Sequence, residues 1–104
     1  FTELVRFHVR FKPFVEGVTI DNFAEKVRLP HARHKPIRYF SSGMKQRLKL
    51  GLALYTAAPL LLLDEPTSNL DAEGIAWYKS EIQAHCSGRL VIIASNQPSE
   101  YDFL

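Results

Sequence analysis

The sequence has 104 residues, which is enough for one domain or part of one. Its net charge of +2 is too small to indicate nucleic acid, so no direct nucleic-acid partner is expected. The single cysteine, Cys86, excludes an internal disulfide and suits a reducing compartment. The longest nearly apolar run, residues 50–63, is too short to span a membrane, and no signal peptide is visible.

The first thirty residues predict two short helices. Thr2 is the predicted N-cap of the first, and Pro13 ends it. Thr19 is the predicted N-cap of the second, which Pro30 closes. Apolar residues recur at helical spacing in both. The predicted buried faces are Leu4, Phe7, His8 and Phe11 in the first helix, and Ile20, Phe23, Ala24 and Val27 in the second.

The histidines of this region are interpreted as structural or solvated rather than as metal ligands. His8 lies on a predicted helix face and is expected at the boundary of the core. His31 and His34 belong to a basic loop, residues 31–38, where no cysteine or acid stands at ligand spacing. A solvated loop is therefore predicted there.

A helix that begins near residue 41 leaves its positive end without an internal anion. Ser41 or Ser42 is the predicted N-cap, and Gly43 allows close approach of the backbone. The first turns carry Lys45 and Arg47 and no acid, although acids are usual at that end of a helix. Free N–H groups, two hydroxyls and a glycine indicate an anion site. A serine-capped helix with a solvated basic face is the alternative.

Four consecutive leucines, Leu60–Leu63, predict a strand buried on both faces of a parallel sheet. Asp64 and Glu65 follow directly, and Pro66 ends the strand. Open α/β sheets bind ligands at the carboxyl ends of their strands, and Mg²⁺ prefers hard oxygen ligands. Asp64 is therefore the predicted magnesium ligand, and Glu65 the residue that orients or deprotonates water. The alternative is that both acids merely cap the next helix.

A second strand completes a βαβ unit. Asp71 is the predicted N-cap of the intervening helix, and Gly88 is its predicted end. The predicted strand over residues 90–94 ends at Ser95-Asn96. The predicted buried stripe of the helix is Ile75, Tyr78, Ile82 and Cys86, with Trp77 beside it.

Two segments in this order and at this spacing resemble the ATP-binding-cassette (ABC) transporter ATPases. Residues 60–71, LLLLDEPTSNLD, resemble the Walker B motif and D-loop. Residues 39–47, YFSSGMKQR, resemble the signature motif, whose usual form is Leu-Ser-Gly-Gly-Gln followed by Gln-Arg two residues later. The matching positions are Ser41, Gly43, Gln46 and Arg47, and the departures are Phe40, Ser42 and Met44. Met44 replaces an amide side chain and cannot make the polar contact of that amide.

The resemblance implies an α/β fold, with a helical signature subdomain over residues 1–58. Residues 59–104 would be the Walker B, D-loop and switch part of a RecA-like core, a βαβ fragment of the P-loop NTPase sheet. ATP and Mg²⁺ are the implied cofactors.

The family also implies a role for each site residue. Asp64 would hold Mg²⁺ and Glu65 would activate the attacking water. Asp71 would help to join two subunits, and Asn96 stands where the family usually has its switch histidine. The residues implied to contact the γ-phosphate of nucleotide held by a second subunit are Ser41, Ser42 and Gly43, with Met44 beside them.

The implied parent protein is a cytoplasmic subunit at the inner face of the membrane. Its implied partners are a second ATPase subunit and a membrane-spanning permease. No GxxxxGK[ST] loop, adenine-stacking aromatic residue or Q-loop glutamine can be located, so the chain is expected to start after the Q-loop. Alone it is expected to be inactive and to self-associate through its sheet. The alternatives are a soluble ABC protein that acts on ribosomes or DNA, and a non-enzymatic interaction module.

Overall fold

The computed structural model describes all residues, 1–104, as helices followed by a βαβ unit. The helices and strands are α1 (Thr2–Phe11), α2 (Phe23–Lys26), α3 (Ser42–Leu54), β1 (Leu60–Asp64), α4 (Ala72–His85) and β2 (Leu90–Ala94). Short 3-10 turns cover Pro30–Ala32, Ile37–Tyr39 and Pro98–Glu100. The strands pair in parallel, in a register that runs from Leu60 opposite Leu90 to Asp64 opposite Ala94. The α/β prediction is confirmed. No helix combines the length and the apolar character that a membrane span requires.

The predicted buried face of α1 is wrong. Val5 is the fully buried residue of the helix, whereas Leu4, Phe7 and Phe11 are exposed. Thr2 is the first helical residue rather than the N-cap, and its hydroxyl donates to the Arg33 carbonyl. The apolar residues of α1 allow two overlapping stripes, and only packing against the rest of the chain decides between them.

The second helix is shorter than predicted. Regular helix covers only Phe23–Lys26, although Phe23, Ala24 and Val27 are buried as expected. The Thr19 hydroxyl accepts from the Asn22 backbone N–H, and the Asn22 side chain accepts from the Thr19 N–H. This reciprocal pair forms a turn before the helix, so Thr19 organises its start without being its N-cap.

Helix α3 is the centre of the hydrophobic core. Leu48, Leu50 and Leu54 are buried along it, and α2 packs closely against Gly51. A Cβ on Gly51 would overlap Val27 and would lie 3.0 Å from the Phe23 ring, so the two helices need a glycine there. One buried cluster continues from Val5 and Phe23 through α3 to Leu61, Tyr78 and Ile82. The division between residues 58 and 59 stays a prediction.

Arg89 fixes the carboxyl end of α3 and the start of β2. Its guanidinium donates to the carbonyls of Leu54 at 2.8 Å, Ala58 at 2.9 Å and Thr56 at 3.1 Å. The last carbonyls of a helix have no partner within the helix, and Arg89 supplies the missing donors. The chain is thereby held in place between α3 and the sheet.

The prediction that β1 is buried on both faces is wrong. Leu61 and Leu63 are buried against the helices. The other face of the sheet is exposed, and its large side chains are Leu60, Leu62, Leu90 and Ile92. The run of four leucines marks a strand with two apolar faces, but the helices of this chain cover only one of them.

Candidate functional site

The start of α3 has the geometry that its sequence predicts. Ser41 is the N-cap, and its hydroxyl accepts from the Met44 backbone N–H at 3.1 Å. No acid lies in the first turn. Ser42 is exposed, and Gly43 and Met44 are half-buried. The residues from 41 to 44, here called the α3 start turn, thus present a hydroxyl, backbone N–H groups and the positive end of a 13-residue helix.

The α3 start turn packs directly against the segment after β1. A Cβ on Gly43 would lie 2.9 Å from the Asn69 backbone carbonyl oxygen, so any other residue would force the backbone to move. Residues 64–71, here called the acidic turn, therefore form one wall of the site and the α3 start turn forms the other. Both also line a cleft of about 290 Å³, and the remaining lining residue is Arg47.

Two side chains of α3 hold the acidic turn in place. The Gln46 amide donates to the Pro66 carbonyl at 2.9 Å, and more distantly to the Glu65 carbonyl at 3.5 Å. Arg47 is buried, and its guanidinium lies 2.6 Å from the Glu73 carboxylate and 3.6 Å from the Asp71 carboxylate. Its Nη1 has no hydrogen-bond partner. Gln46 and Arg47, which match the family motif, thus make contacts within the chain itself.

Asp64 and Glu65, the predicted magnesium ligand and the predicted base, lie at the carboxyl end of β1, and both are exposed. Glu65 has a φ of +44°, in the left-handed region that residues other than glycine rarely adopt. Its backbone is held there by a 2.8 Å bond from its N–H to the Ala94 carbonyl, and by a 3.0 Å bond from the Ser68 N–H to its own carbonyl. Such strain is commonly found at functional sites. The capping alternative does not apply, because α4 is capped by another residue.

The donor set fits a magnesium ion that is shared with phosphate. No group of three or more His, Cys, Asp or Glu side chains converges here. Mg²⁺ differs from ions that need an all-protein cage, because it usually takes one or two carboxylates together with phosphate oxygens and water. Asp64 is an exposed carboxylate of the kind that this mode of binding uses.

Asp71 is the N-cap of α4, as predicted, and its carboxylate accepts from the Gly74 N–H at 2.8 Å. Asn96 lies two residues beyond Ala94, the residue that pairs with Asp64, and it is exposed. The strand ends therefore bring Asn96 to the same edge of the sheet as the two acids. The binding and catalytic roles of all these residues stay predictions.

One buried residue beside the site was missed by sequence reasoning. The Glu100 side chain is 1% exposed, and it accepts from the Thr67 N–H at 2.6 Å and from the Thr67 hydroxyl at 2.5 Å. The Ser95 hydroxyl donates to its other oxygen. Burial by itself raises the pKa of this carboxyl, but the bonds from Ser95 and Thr67 outweigh it and hold the pKa below its ordinary value. Sequence reasoning missed Glu100 because a single acid in a short 3-10 turn forms no periodic pattern.

The largest cavity, about 610 Å³, lies elsewhere, at the amino end of β1 beside Leu60 and Arg89. His8 also lines it, half-buried, with its Nε2 2.8 Å from the Thr56 hydroxyl. The interpretation of His8 as a boundary histidine is thus confirmed. Burial and, to a smaller extent, the charge of Lys12 lower its pKa. None of the predicted binding or catalytic residues lines this cavity.

Comparison with known proteins places these motifs in a family. The family model described as ABC transporter matches residues 4–68. The chain is 45% identical over 73 residues to the cytochrome c biogenesis ATP-binding export protein CcmA of Rhodopseudomonas palustris strain BisB18. The match covers 69% of this chain and 36% of that protein. It is also 39% identical over 91 residues to the lantibiotic transport ATP-binding protein SrtF of Streptococcus pyogenes. That match covers 86% of this chain and 40% of SrtF.

A third relative is the uncharacterized ABC transporter ATP-binding protein YhcH of Bacillus subtilis strain 168, 36% identical over 104 residues. That match covers 91% of this chain and 33% of YhcH, so the chain spans well under half the length of the curated relatives it matches. The matched region includes α3, β1 and most of the acidic turn. The chain belongs to the ABC transporter family.

Proposed function

We propose that the full-length protein containing this chain binds and hydrolyses Mg·ATP as the nucleotide-binding subunit of an ABC transporter. The observation that carries the proposal is the direct packing of the α3 start turn against the acidic turn at Gly43 and Asn69. A helix start suited to an anion and a pair of exposed carboxylates are thereby brought together. Family membership supports the same function independently.

Each proposed role follows from the chemistry of the residue. Asp64 would hold Mg²⁺, and a magnesium ion at that place would neutralise phosphate charge. Glu65 would orient and deprotonate the attacking water. Ser41, Ser42 and Gly43 would donate hydrogen bonds to the γ-phosphate of nucleotide held by a second subunit.

Asn96 would donate one neutral hydrogen bond to phosphate. An amide cannot carry positive charge or exchange protons near neutral pH, so Glu65 would be the sole base. Met44 adds no polar contact to nucleotide, since its side chain packs against the core.

The proposed partners are a second copy or homologous ATPase subunit and a membrane-spanning permease. The names of the relatives CcmA and SrtF contain the words export and transport, which favours transport over action on ribosomes or DNA. Closure of two subunits on ATP would drive the permease, with the helical segment, residues 1–58, as the region in contact with it. The protein would then act at the cytoplasmic face of the membrane.

The test is Glu65→Gln in the full-length protein, with Glu16→Gln as the matched control. Glu16 is an exposed acid in the connector between α1 and α2. Glu65→Gln is expected to bind Mg·ATP but to lose about 10²- to 10⁴-fold in single-turnover rate, because the base is gone. Glu16→Gln, measured in the same single-turnover assay without the permease, is expected to hydrolyse Mg·ATP at the wild-type rate. A near wild-type rate for Glu65→Gln would refute the assignment of the base.

The 104-residue chain alone is proposed to bind ATP weakly and not to hydrolyse it. Most ground-state affinity in such sites comes from P-loop amides and a lysine, and no GxxxxGK[ST] loop occurs in these residues. The exposed sheet face at Leu62 and Ile92 is expected to drive self-association. Calorimetric titration with Mg·ATP and light scattering test both points. Micromolar binding by a monomer would contradict them.

A further inference from the structure

The Glu100 carboxylate joins two segments that follow different strands. One of its oxygens accepts both the N–H and the hydroxyl of Thr67, in the acidic turn after β1. The other accepts the Ser95 hydroxyl, directly after β2. No lysine, arginine or histidine forms an ion pair with Glu100. The buried charge is therefore held entirely by neutral donors from these two segments.

The hydrogen-bond network continues from Glu100 to the proposed catalytic residues. The Ser95 hydroxyl, which donates to Glu100, also lies 3.0 Å from the Gln97 carbonyl oxygen, and its own oxygen accepts the Gln97 N–H at 2.9 Å. This turn contains Asn96. On the other side Thr67 lies two residues beyond Glu65, whose carbonyl accepts the Ser68 N–H. The carboxylate thus sits between the backbone that presents Glu65 and the backbone that presents Asn96.

We propose that Glu100 is a positioning residue that fixes the acidic turn relative to the segment after β2, and so sets the placement of Glu65 against Asn96 for ATP hydrolysis. The inference rests on the proposed function for its catalytic consequence. Its structural part, a coupling between Thr67 and Ser95 through one carboxylate, does not depend on it. A displacement of about 1 Å in a catalytic group can lower a rate by about 10².

A substitution that only destabilises the fold is expected to lower the unfolding midpoint without lowering kcat. Tyr78 provides the matched control, because its buried hydroxyl donates to the Glu100 backbone carbonyl at 2.7 Å. Tyr78→Phe removes a buried hydrogen bond from the same residue but leaves every contact of the carboxylate in place. It is expected to lower the unfolding midpoint while kcat stays within about twofold of wild type.

The experiment compares Glu100→Gln, Ser95→Ala and Tyr78→Phe in the full-length protein, with activity expressed per folded molecule. Glu100→Gln keeps the shape but replaces one accepting oxygen with an N–H₂ group, which faces either Ser95 or Thr67. Its kcat is expected to fall at least about tenfold while KM for Mg·ATP changes less than about threefold. Ser95→Ala, which leaves both Thr67 bonds, is expected to show a smaller loss of the same kind. A kcat that falls equally in Tyr78→Phe, or not at all in Glu100→Gln, would overturn the proposal.

Backbone amide NMR separates this inference from the proposed function. The Thr67 amide proton of wild type is expected far downfield, since its bond to the carboxylate is short and charge-assisted. Ser95→Ala is expected to move that resonance, although the two residues are 28 positions apart in sequence, whereas Glu16→Gln is expected to leave it unchanged. An unmoved Thr67 resonance would overturn the coupling even in an active ATPase. A moved resonance in an inactive wild type would overturn the proposed function and leave the coupling standing.

Discussion

Two charged side chains from different segments, Arg47 and Glu100, contact the acidic turn, and Arg47 also pairs with Glu73 in α4. Arg47 approaches from α3 and is 8% exposed, but its partners Glu73 and Asp71 have side chains that are 64% and 76% exposed. Glu100 approaches from the segment after β2, is 1% exposed, and is bound by neutral groups. The first is an ion pair open to water on its acidic side, and the second is a buried anion.

The difference determines how much each contact contributes to stability. The acids that pair with Arg47 are well solvated whether or not they are paired, so the ion pair itself contributes little. Glu100 and its donor Thr67 are both buried, so loss of the carboxylate leaves the Thr67 N–H and hydroxyl without a partner in the protein. A buried donor that loses its acceptor keeps the full cost of desolvation. Glu100 should therefore be the more sensitive of the two positions.

The largest expected effect comes from Glu100→Ala. It leaves the Thr67 N–H and hydroxyl without an acceptor and opens a cavity, so the free energy of unfolding is expected to fall by about 3 kcal/mol. Urea denaturation of the full-length protein measures it, with Glu16→Ala as a control at an exposed acid. A loss below about 1 kcal/mol would show that water enters and replaces the carboxylate.

The pH dependence tests whether Glu100 is ionised in the fold. Its pKa in the fold lies below its ordinary value of 4.5, so the unfolded state binds more protons as the pH falls through this range. The contribution of ionised Glu100 to the free energy of unfolding is therefore present above about pH 4.5, and it is lost as the pH falls through the lowered pKa. The difference in unfolding free energy between wild type and Glu100→Gln is expected to be constant from pH 7 to 5 and to shrink below. A difference that grows in acid would contradict this.

The sequence was sufficient to predict the elements that carry a local signal. Ser41 and Asp71 cap their helices as predicted, because a capping side chain bonds to a backbone N–H only two or three residues away. Parallel pairing of the two strands also follows from the helix between them. The acids at the end of β1 were located correctly for the same reason, since the strand end and Pro66 are adjacent in sequence.

The rest depends on contacts between distant residues, and the sequence could not supply it. The choice between the two faces of α1 was made by Val5 packing into a cluster with α3 and α4. The role of Glu100 depends on Thr67, 33 positions earlier. The contact of Gln46 with the acidic turn could not be predicted either. A motif match identifies the residue, but it does not show which group that residue binds.

A smaller effect is expected at Arg47. Arg47→Met keeps most of the packing over Trp77 but removes the ion pair with Glu73 and a buried Nη1 that has no partner. Loss of the pair and relief of the unsatisfied group oppose each other, so the unfolding free energy is expected to change by about 1 kcal/mol or less. A loss at Arg47 as large as that at Glu100→Ala would remove the contrast between the two residues.

The smallest effect is expected at Asn69, where the backbone and not the side chain matters. Its φ is +63°, and its amide makes only a 3.5 Å contact to the neighbouring Ser68 hydroxyl. Asn69→Gly removes the conformational strain but adds flexibility to the unfolded chain, so the two effects are expected to cancel within about 0.5 kcal/mol. Asn69→Ala has no such compensation and is expected to lose about 1 kcal/mol, because alanine disfavours a left-handed backbone. Both variants keep the carbonyl that Gly43 contacts, so ATP turnover should follow the stability of each protein. Equal losses in Gly and Ala would mean that the Asn69 side chain itself has a role in the site.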